Sequence, residues 1–531
     1  MTKGAVALVL HAHLPYVRSA QPGSLEEDWF FQALIECYLP LLETLELASA
    51  DPHQQPKLTI GLSPTLLSLL SDQDLKQRFP AWLNERLDLL PKADPSLRAG
   101  AEHLAATIER HRRAWQSCDG DLIQRFAALQ HQGVVDLLTC GATHGYLPLL
   151  RHHPEAVRGQ LRTAVREHQR LVGERPLGIW LPECAYYEGL DRWMRDAGLR
   201  YAVLDGHGLL HGRPRPRYGV YAPICSRNGV AFFGRDSDAT LPVWSAKDGY
   251  PGDPHYREFH RDLGWDLPIE ELKPLGLDQP RPLGLKLHRV TDHSAPLDRK
   301  RPYEPGVAAE RVKEHAADYL QGRRRQLDQL SAAMDVSPLL VAPFDAELFG
   351  HWWFEGPAFL SQLFQQAPQE GVAFTRLRDV LNNVGQLQLC DPCPSSWGQG
   401  GYHDYWLNDS NAWIIPEWEK ASAAMVQRCS RGVGSEQAMQ WLQQAARELL
   451  LAQSSDWSFI LRAGTTTELA KERVQRHLGR FWQLMQAIDG SNELAEGWLE
   501  DVQTDDRLFP LIQPLDWAPV QPTAQPSAPN A

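Results

Sequence analysis

The sequence carries no excess of basic residues: 53 Lys and Arg stand against 66 Asp and Glu, a formal net charge of −13. Neutralising a phosphate backbone takes clustered Lys and Arg, so no nucleic acid is expected as a partner. A local basic run such as Arg323-Arg324-Arg325 falls in a helix-like segment and reads as a solvated face. No stretch approaches the ~18 apolar residues that span a bilayer. The opening run at 5–10 is too short for a secretory core and reads as a buried strand, so no membrane partner is expected either. Cysteine is sparse, eight in 531 residues without the spacing of a disulfide framework; a reduced, cytoplasmic setting is expected. Cys390 and Cys393 form a lone CxxC with no second Cys or His pair nearby, which reads as a loop and not as a zinc site.

With 43% hydrophobic and 22% charged residues the chain has the composition of a folded globular protein, and its length allows roughly two to four domains. Six short apolar runs end abruptly in polar residues: 5–10 in His11-Ala12-His13, 58–62 in Ser63-Pro64, 134–139 in Gly141-Ala142-Thr143-His144, 177–181 in Pro182-Glu183, 201–204 in Asp205, and 339–342 in Pro343-Phe344-Asp345. Parallel β/α barrels collect their reactive groups at the carboxyl ends of strands, which this repetition matches; a doubly wound open sheet gives a similar pattern. Residues 70–132 have helical spacing and are longer than one crossover, so they read as a helical insertion. His153-Pro154-Glu155 opens an ordinary crossover helix with proline in its first turn. Residues 213–305 are dense in Gly, Pro and aromatics and are expected to form loops over the barrel mouth, completing a catalytic region at 1–395. Helical periodicity returns over 396–517 as a C-terminal domain, and the proline-rich tail 518–531 is expected to be disordered.

Glu183 follows a buried run beside aromatic surface, which makes it a candidate nucleophile or base, or a rim carboxylate in an ion pair. Asp345 and Glu347 follow another run, with Trp352 and Trp353 close behind. Carboxylates supply acid and base while flat aromatic faces stack on sugar rings, a composition suited to a saccharide site; either Trp is equally a core residue. His11 and His13, two apart on a strand end, share a face. They either bind a metal with His144 or Asp345, or orient a carboxylate and a sugar by hydrogen bonds. The segment 396–408, with Trp397, Trp406 and three glycines, reads as stacking platforms on loops or as an apolar domain interface.

These segments resemble the motifs of glycoside hydrolase family 57, and within it the branching members. The first motif matches His11-Ala12-His13-Leu14-Pro15, the second Gly141–Tyr146, the third Trp180-Leu181-Pro182-Glu183-Cys184, the fourth 342–353 and the fifth 397–408, in order along nearly the whole chain. The resemblance implies a (β/α)7 barrel with a helical insertion and a helical C-terminal domain, acting on α-1,4-glucans such as amylose and glycogen with retention and no cofactor or metal. By position, Glu183 would be the nucleophile and Asp345 the general acid/base. Arg235, Trp244, Gly252, Trp397, Trp406 and Asp456, with His11, His13 and His144, would contact substrate. The stretch between Glu183 and Arg235 is shorter than in archaeal members. Branching by transfer to a 6-hydroxyl is the expected activity. A retaining α-amylase or 4-α-glucanotransferase is the nearest alternative, ahead of a metal-dependent hydrolase using His11, His13, His144 and Asp345 and of a glucan-binding protein without activity. Neither oligomeric state nor transferred chain length is set by the sequence.

Overall fold

A computed structural model of the chain describes residues 4–19, 21–245, 247–432 and 434–519. Strand β1 (Ala5–Ala12), apolar but for His11 near its end, is buried from Val6 to Ala12, as befits a parallel strand covered on both faces. It lies between β2 (Leu58–Leu62) and a strand from much later in the chain, and β2 pairs in turn with β3 (Val135–Leu138). A parallel bridge between Thr139 and Ile179 joins β3 to β4 (Gly178–Ile179), which pairs with β5 (Tyr201–Leu204). The short β6 (Ile224–Cys225) runs antiparallel to β7 (Ala231–Gly234), and β7 is parallel to β5. The ring closes where the Asp236 N–H, just past β7, donates to the Val341 carbonyl of β8 (Leu339–Asp345) at 2.9 Å. Strand β9 (Gln388–Leu389) sits outside on β6. The seven parallel strands β1, β2, β3, β4, β5, β7 and β8 form a (β/α)7 barrel.

Strand alternation sorts the core into two clusters. Val6, Leu8 and Leu10 pack outward under the helices. Ala7 and Val9 pack inward with Leu339, Val341, Trp180, Val203 and Phe233, filling the barrel. Continuing that parity, His11 and Asp345 are inward positions, and the register pairs them directly across β1 and β8. Two residues that carry chemistry are thereby set side by side at the mouth.

All six apolar runs become strands, and the helix at 154 is Pro154–Val172 with its proline at the first turn. Between β2 and β3 lie helices Pro64–Ser71, Gln73–Leu89, Arg98–Ser117 and Leu122–His131. Two expectations are corrected. Residues 213–305 are not loops throughout: Ala231–Gly234 is a barrel strand, followed by helix Ser237–Trp244. The run 230–233 is only four apolar residues in a Gly- and Pro-rich region, too short to stand out without its partner β5. Arg323 is buried and not solvated; it stacks over Tyr319, one turn earlier in helix Pro305–Ala333, and donates to the Asp238 carbonyl.

Helices Ile414–Ser430, Glu436–Ala452, Ser455–Ala463, Thr467–Ile488 and Trp498–Asp505 make up the C-terminal region. The chain then returns to the barrel, where Trp517 is fully buried against Gly159 of helix Pro154–Val172. Residues 520–531 of the stretch expected to be disordered lie outside the described residues. Among the described residues, no helix is long and apolar enough to cross a membrane.

Candidate active site

Each strand end delivers a side chain to the mouth. Asp345 is the last residue of β8, Arg235 follows β7, Asp205 follows β5, and Glu183 sits in a tight turn after β4. Glu183 (φ +62°), Cys184 (φ +50°) and His144 (φ +56°) all adopt left-handed backbone, which a non-glycine residue reaches only at a cost of about 1–3 kcal/mol. The packing around them supports that strain and so holds Glu183 facing inward. Its side chain is 14% exposed, enough to be reached from the cleft.

Both Glu183 oxygens are held. The Trp397 indole N–H donates to Oε2 at 2.9 Å and the Ser455 hydroxyl to Oε1 at 3.2 Å. Behind Ser455 runs a chain of donors: Ser455 Oγ lies 2.8 Å from His144 Nδ1, and His144 Nε2 lies 3.0 Å from His11 Nε2. With its proton given to Glu183, Ser455 must accept from His144 Nδ1–H. His144 Nε2 then accepts from His11 Nε2–H, and both imidazoles are neutral in this assignment. Burial first, and then the neighbouring imidazoles, pull His11 and His144 well below the ordinary histidine range, in keeping with it.

His13 sits between Ser63 (2.9 Å to Nδ1) and the Asp456 carboxylate (3.1 and 3.2 Å to Nε2). Burial pushes Asp456 up, but His13, His144 and Ser454 outweigh it and hold the group at about 2, so Asp456 is ionised. The two central carboxyls move the other way. Burial, with Asp345 and Asp456 adding to it, raises Glu183 to about 7 against the pull of Trp397 and His13. Burial and then the adjacent Glu347 raise Asp345 to about 8, against His13 and Arg235. Glu347 itself, raised by burial to about 7, accepts from the Tyr38 hydroxyl at 2.6 Å and the His13 backbone N–H at 3.1 Å. Two carboxyls at strand ends, both raised toward neutrality by burial, are the arrangement of a paired acid and nucleophile.

Aromatic rings wall the cleft. Trp180 stacks on His11 at 4.7 Å and meets Trp397 edge-on at 5.0 Å, and Trp244 lies 5.5 Å from Trp397 with the Arg235 guanidinium above it. Arg235 is braced by Asp205 and Thr240. Trp406 departs from expectation: it is buried at 2% exposure, stacked on Tyr146 at 4.5 Å, and so forms a packed wall and not an open platform. Gly398 makes room for that ring, since a Cβ there would lie 2.6 Å from it. Of the other Trp pair, Trp353 is core and Trp352 is exposed. Gly252 closes a turn with Gly249 and lines a shallow pocket with Tyr250, Asp253, His315 and Asp318; no described contact joins it to the carboxylates.

His13, His144 and Asp456 have ligand atoms within 4.8 Å of one another, as do His11, Cys140 and His144. The three imidazole planes lie within 12–19° of one another, with His13 stacked on His144 at 3.9 Å and His11 meeting His144 edge to edge through their Nε2 atoms. Five of the six ring nitrogens, all but His11 Nδ1, already have hydrogen-bond partners. The set therefore fits a hydrogen-bond scaffold better than a coordination sphere.

Sequence reasoning passed over Ser455, Tyr38, Trp180 and Asp205 as site residues. Asp205 ends the fifth apolar run and Trp180 precedes the Glu183 turn, so both had a local signal. Tyr38 and Ser455 meet their partners across 309 and 272 residues of sequence, and no local pattern points to either.

Comparison with known proteins places this geometry. Glycosyl hydrolase family 57 matches residues 7–391, and the 1,4-alpha-glucan branching enzyme C-terminal family matches 417–517. The chain is 32% identical over 516 residues to a 1,4-alpha-glucan branching enzyme of Thermococcus kodakarensis, covering 91% of this chain and 73% of that protein. Among solved structures it resembles a novel alpha-amylase from Thermotoga maritima (34% identity, TM-score 0.90, 98% of this chain and 99% of that one). It also resembles a family 57 branching enzyme from Pyrococcus horikoshii (31%, TM-score 0.88, 99% and 98%).

Proposed function

Because the chain belongs to glycosyl hydrolase family 57, we propose that it is a 1,4-α-glucan branching enzyme using Glu183 as nucleophile and Asp345 as general acid/base. The observation that carries the chemistry is the placement of two largely buried carboxyls at the mouth, after β4 and at the end of β8, with burial raising them to about 7 and about 8. The branching match over 417–517 carries the choice of acceptor.

Asp345 gives its proton to the glycosidic oxygen as the Glu183 carboxylate attacks the anomeric carbon. The C–O bond breaks, the reducing-end piece leaves as an alcohol, and a glycosyl ester on Glu183 forms. Asp345, now a carboxylate, takes the proton from the 6-hydroxyl of an acceptor glucan. That oxygen attacks the anomeric carbon and releases Glu183, completing an α-1,6 branch with overall retention. Trp397 and Ser455 fix both oxygens of the nucleophile, so little reorganisation precedes attack. Asp456, ionised and held by His13, is placed to accept from sugar hydroxyls. Arg235, Trp244 and the Trp397 wall present one hydrogen-bonding and two stacking surfaces to a glucan. Amylose and glycogen are the substrates proposed, and the cytoplasm is the compartment.

The likeness to the Thermotoga alpha-amylase favours one second reading, in which water replaces the acceptor hydroxyl. The protein is incubated with amylose and reducing ends are counted before and after a debranching enzyme. Ends that appear mainly after debranching establish transfer; ends that appear directly make the protein an amylase.

A further inference from the structure

Beyond the cleft the aromatic wall does not stop. Trp397, which donates to Glu183, belongs to one apolar cluster with Tyr146, Trp406 and Tyr405. The Tyr405 ring lies 6.0 Å from Trp406 and 4.8 Å from Phe459 at an angle of 33°. This line of rings leads from the nucleophile to the surface, where Phe459 is 44% exposed.

Phe459 is three residues after Asp456 in helix Ser455–Ala463, so the two occupy neighbouring positions on one helical face. That face starts at His13 within the cleft and ends on open surface one turn later. The two elements carrying the rings are pinned together: Asn411, fully buried, donates from its amide to both the Tyr405 and the Ser458 carbonyls, at 3.1 and 3.0 Å. Tyr405 and Phe459 are therefore held in a fixed relation and do not depend on a mobile loop for it. The same stretch exposes acceptors, Asp404, Asp409 and Ser410, together with the apolar side chains of Tyr402, Leu407 and Trp413.

An aromatic pair with acceptors beside it, rigid and continuous with an aromatic-lined cleft, has the chemistry of a saccharide platform: flat faces for the C–H faces of glucose and acceptors for its hydroxyls. We propose that Tyr405 and Phe459 form a binding platform outside the catalytic cleft for the same α-1,4-glucan chain whose reacting bond lies at Glu183 and Asp345. This rests on the functional reading above and deepens it, since it adds contacts that only a glucan long enough to leave the cleft can reach.

The test separates the two ideas. In the full-length Glu183→Gln protein, which cannot turn over substrate, affinity for amylose and for maltose is measured by calorimetry, and mobility is followed in native gels containing amylopectin. Adding Phe459→Leu, which keeps apolar bulk but removes the flat face, or Tyr405→Ala is expected to weaken amylose binding about three- to tenfold, the range of a lost aromatic stack. The loss of affinity for maltose, too short to reach from cleft to platform, is expected to be smaller than twofold. Phe459→Trp is expected to restore amylose binding, which a general loosening of the helix would not. Equal losses for both sugars, or no loss for amylose, overturn the platform. A smaller assembly in Phe459→Leu than in the unmodified protein, with unchanged glucan retardation, overturns it in favour of an interface between copies. If the Glu183→Gln protein binds no glucan and the unmodified protein transfers none, it is the functional reading that fails.

Discussion

Asp345 must hold a proton at the pH where Glu183 has lost its own, and burial raises both carboxyls into the range where this chemistry runs near neutrality, Asp345 to about 8 and Glu183 to about 7. Activity is therefore expected to follow a bell in kcat/KM. It should fall below neutrality as Glu183 is protonated and above about pH 8 as Asp345 is deprotonated, with the apparent values belonging to the pair. A profile flat from pH 5 to 9 would remove these groups from the chemistry. Glu347 is a positioning residue in this scheme. Its carboxylate, fixed by Tyr38 and the His13 N–H, adds to the effect of burial in keeping the Asp345 proton on. Glu347→Gln keeps an acceptor for both donors but removes the charge, so the alkaline limb should move to lower pH while the acidic limb stays. An unmoved alkaline limb would reduce Glu347 to a packing role. These identities are what the sequence displays best: Glu183 and Asp345 each follow an apolar run. Their tuning was not legible, because it comes from Tyr38, Ser455 and burial.

Helix Pro154–Val172 shows how an element is adjusted to its neighbour. Gly159 lies within it, where Ala would ordinarily gain about 1 kcal/mol, but a Cβ there would stand 2.3 Å from the Trp517 ring. Overpacking costs about 1–3 kcal/mol and wins. Gly159→Ala should thus destabilise by roughly 1–2 kcal/mol and expose the segment after 505 to protease, as followed by thermal unfolding and limited proteolysis. Gly322, in helix Pro305–Ala333, has nothing within 4 Å of such a Cβ. There the same substitution should stabilise by up to about 1 kcal/mol. If both variants shift Tm in the same direction, packing against Trp517 is not what requires Gly159. Elements themselves were well legible where apolar runs are long or helical spacing extends over many turns. Strand β7 was not, because four residues carry too little pattern and its identity comes from pairing with β5.

At the scale of the molecule the C-terminal helices complete a site begun by the barrel, since Trp397, Ser455 and Asp456 all reach Glu183 or His13 from beyond residue 395. The two parts are tied by Arg18, buried just after β1, which pairs with Asp72 and Asp74 at 2.8 Å each and donates to the Thr504 and Asp505 carbonyls. Removing one partner of a buried ion pair typically costs about 3–5 kcal/mol. Arg18→Ala should show a loss of that order in denaturant unfolding, whereas a change under 1 kcal/mol would mean that the tie is not structural. The sequence by itself determined the strand-then-chemistry rhythm, the two carboxyls and the aromatic richness of the mouth, because apolar runs and residue spacing are local properties of a chain. Only the tertiary structure decided that Trp406 is wall and not platform, that His11 and His144 form a donor chain to Ser455 while His13 holds Asp456, and that Glu183 and Asp345 are both raised toward neutrality. Those outcomes depend on desolvation and on partners hundreds of residues away, and both exist only once the barrel has closed and the C-terminal helices have docked on it.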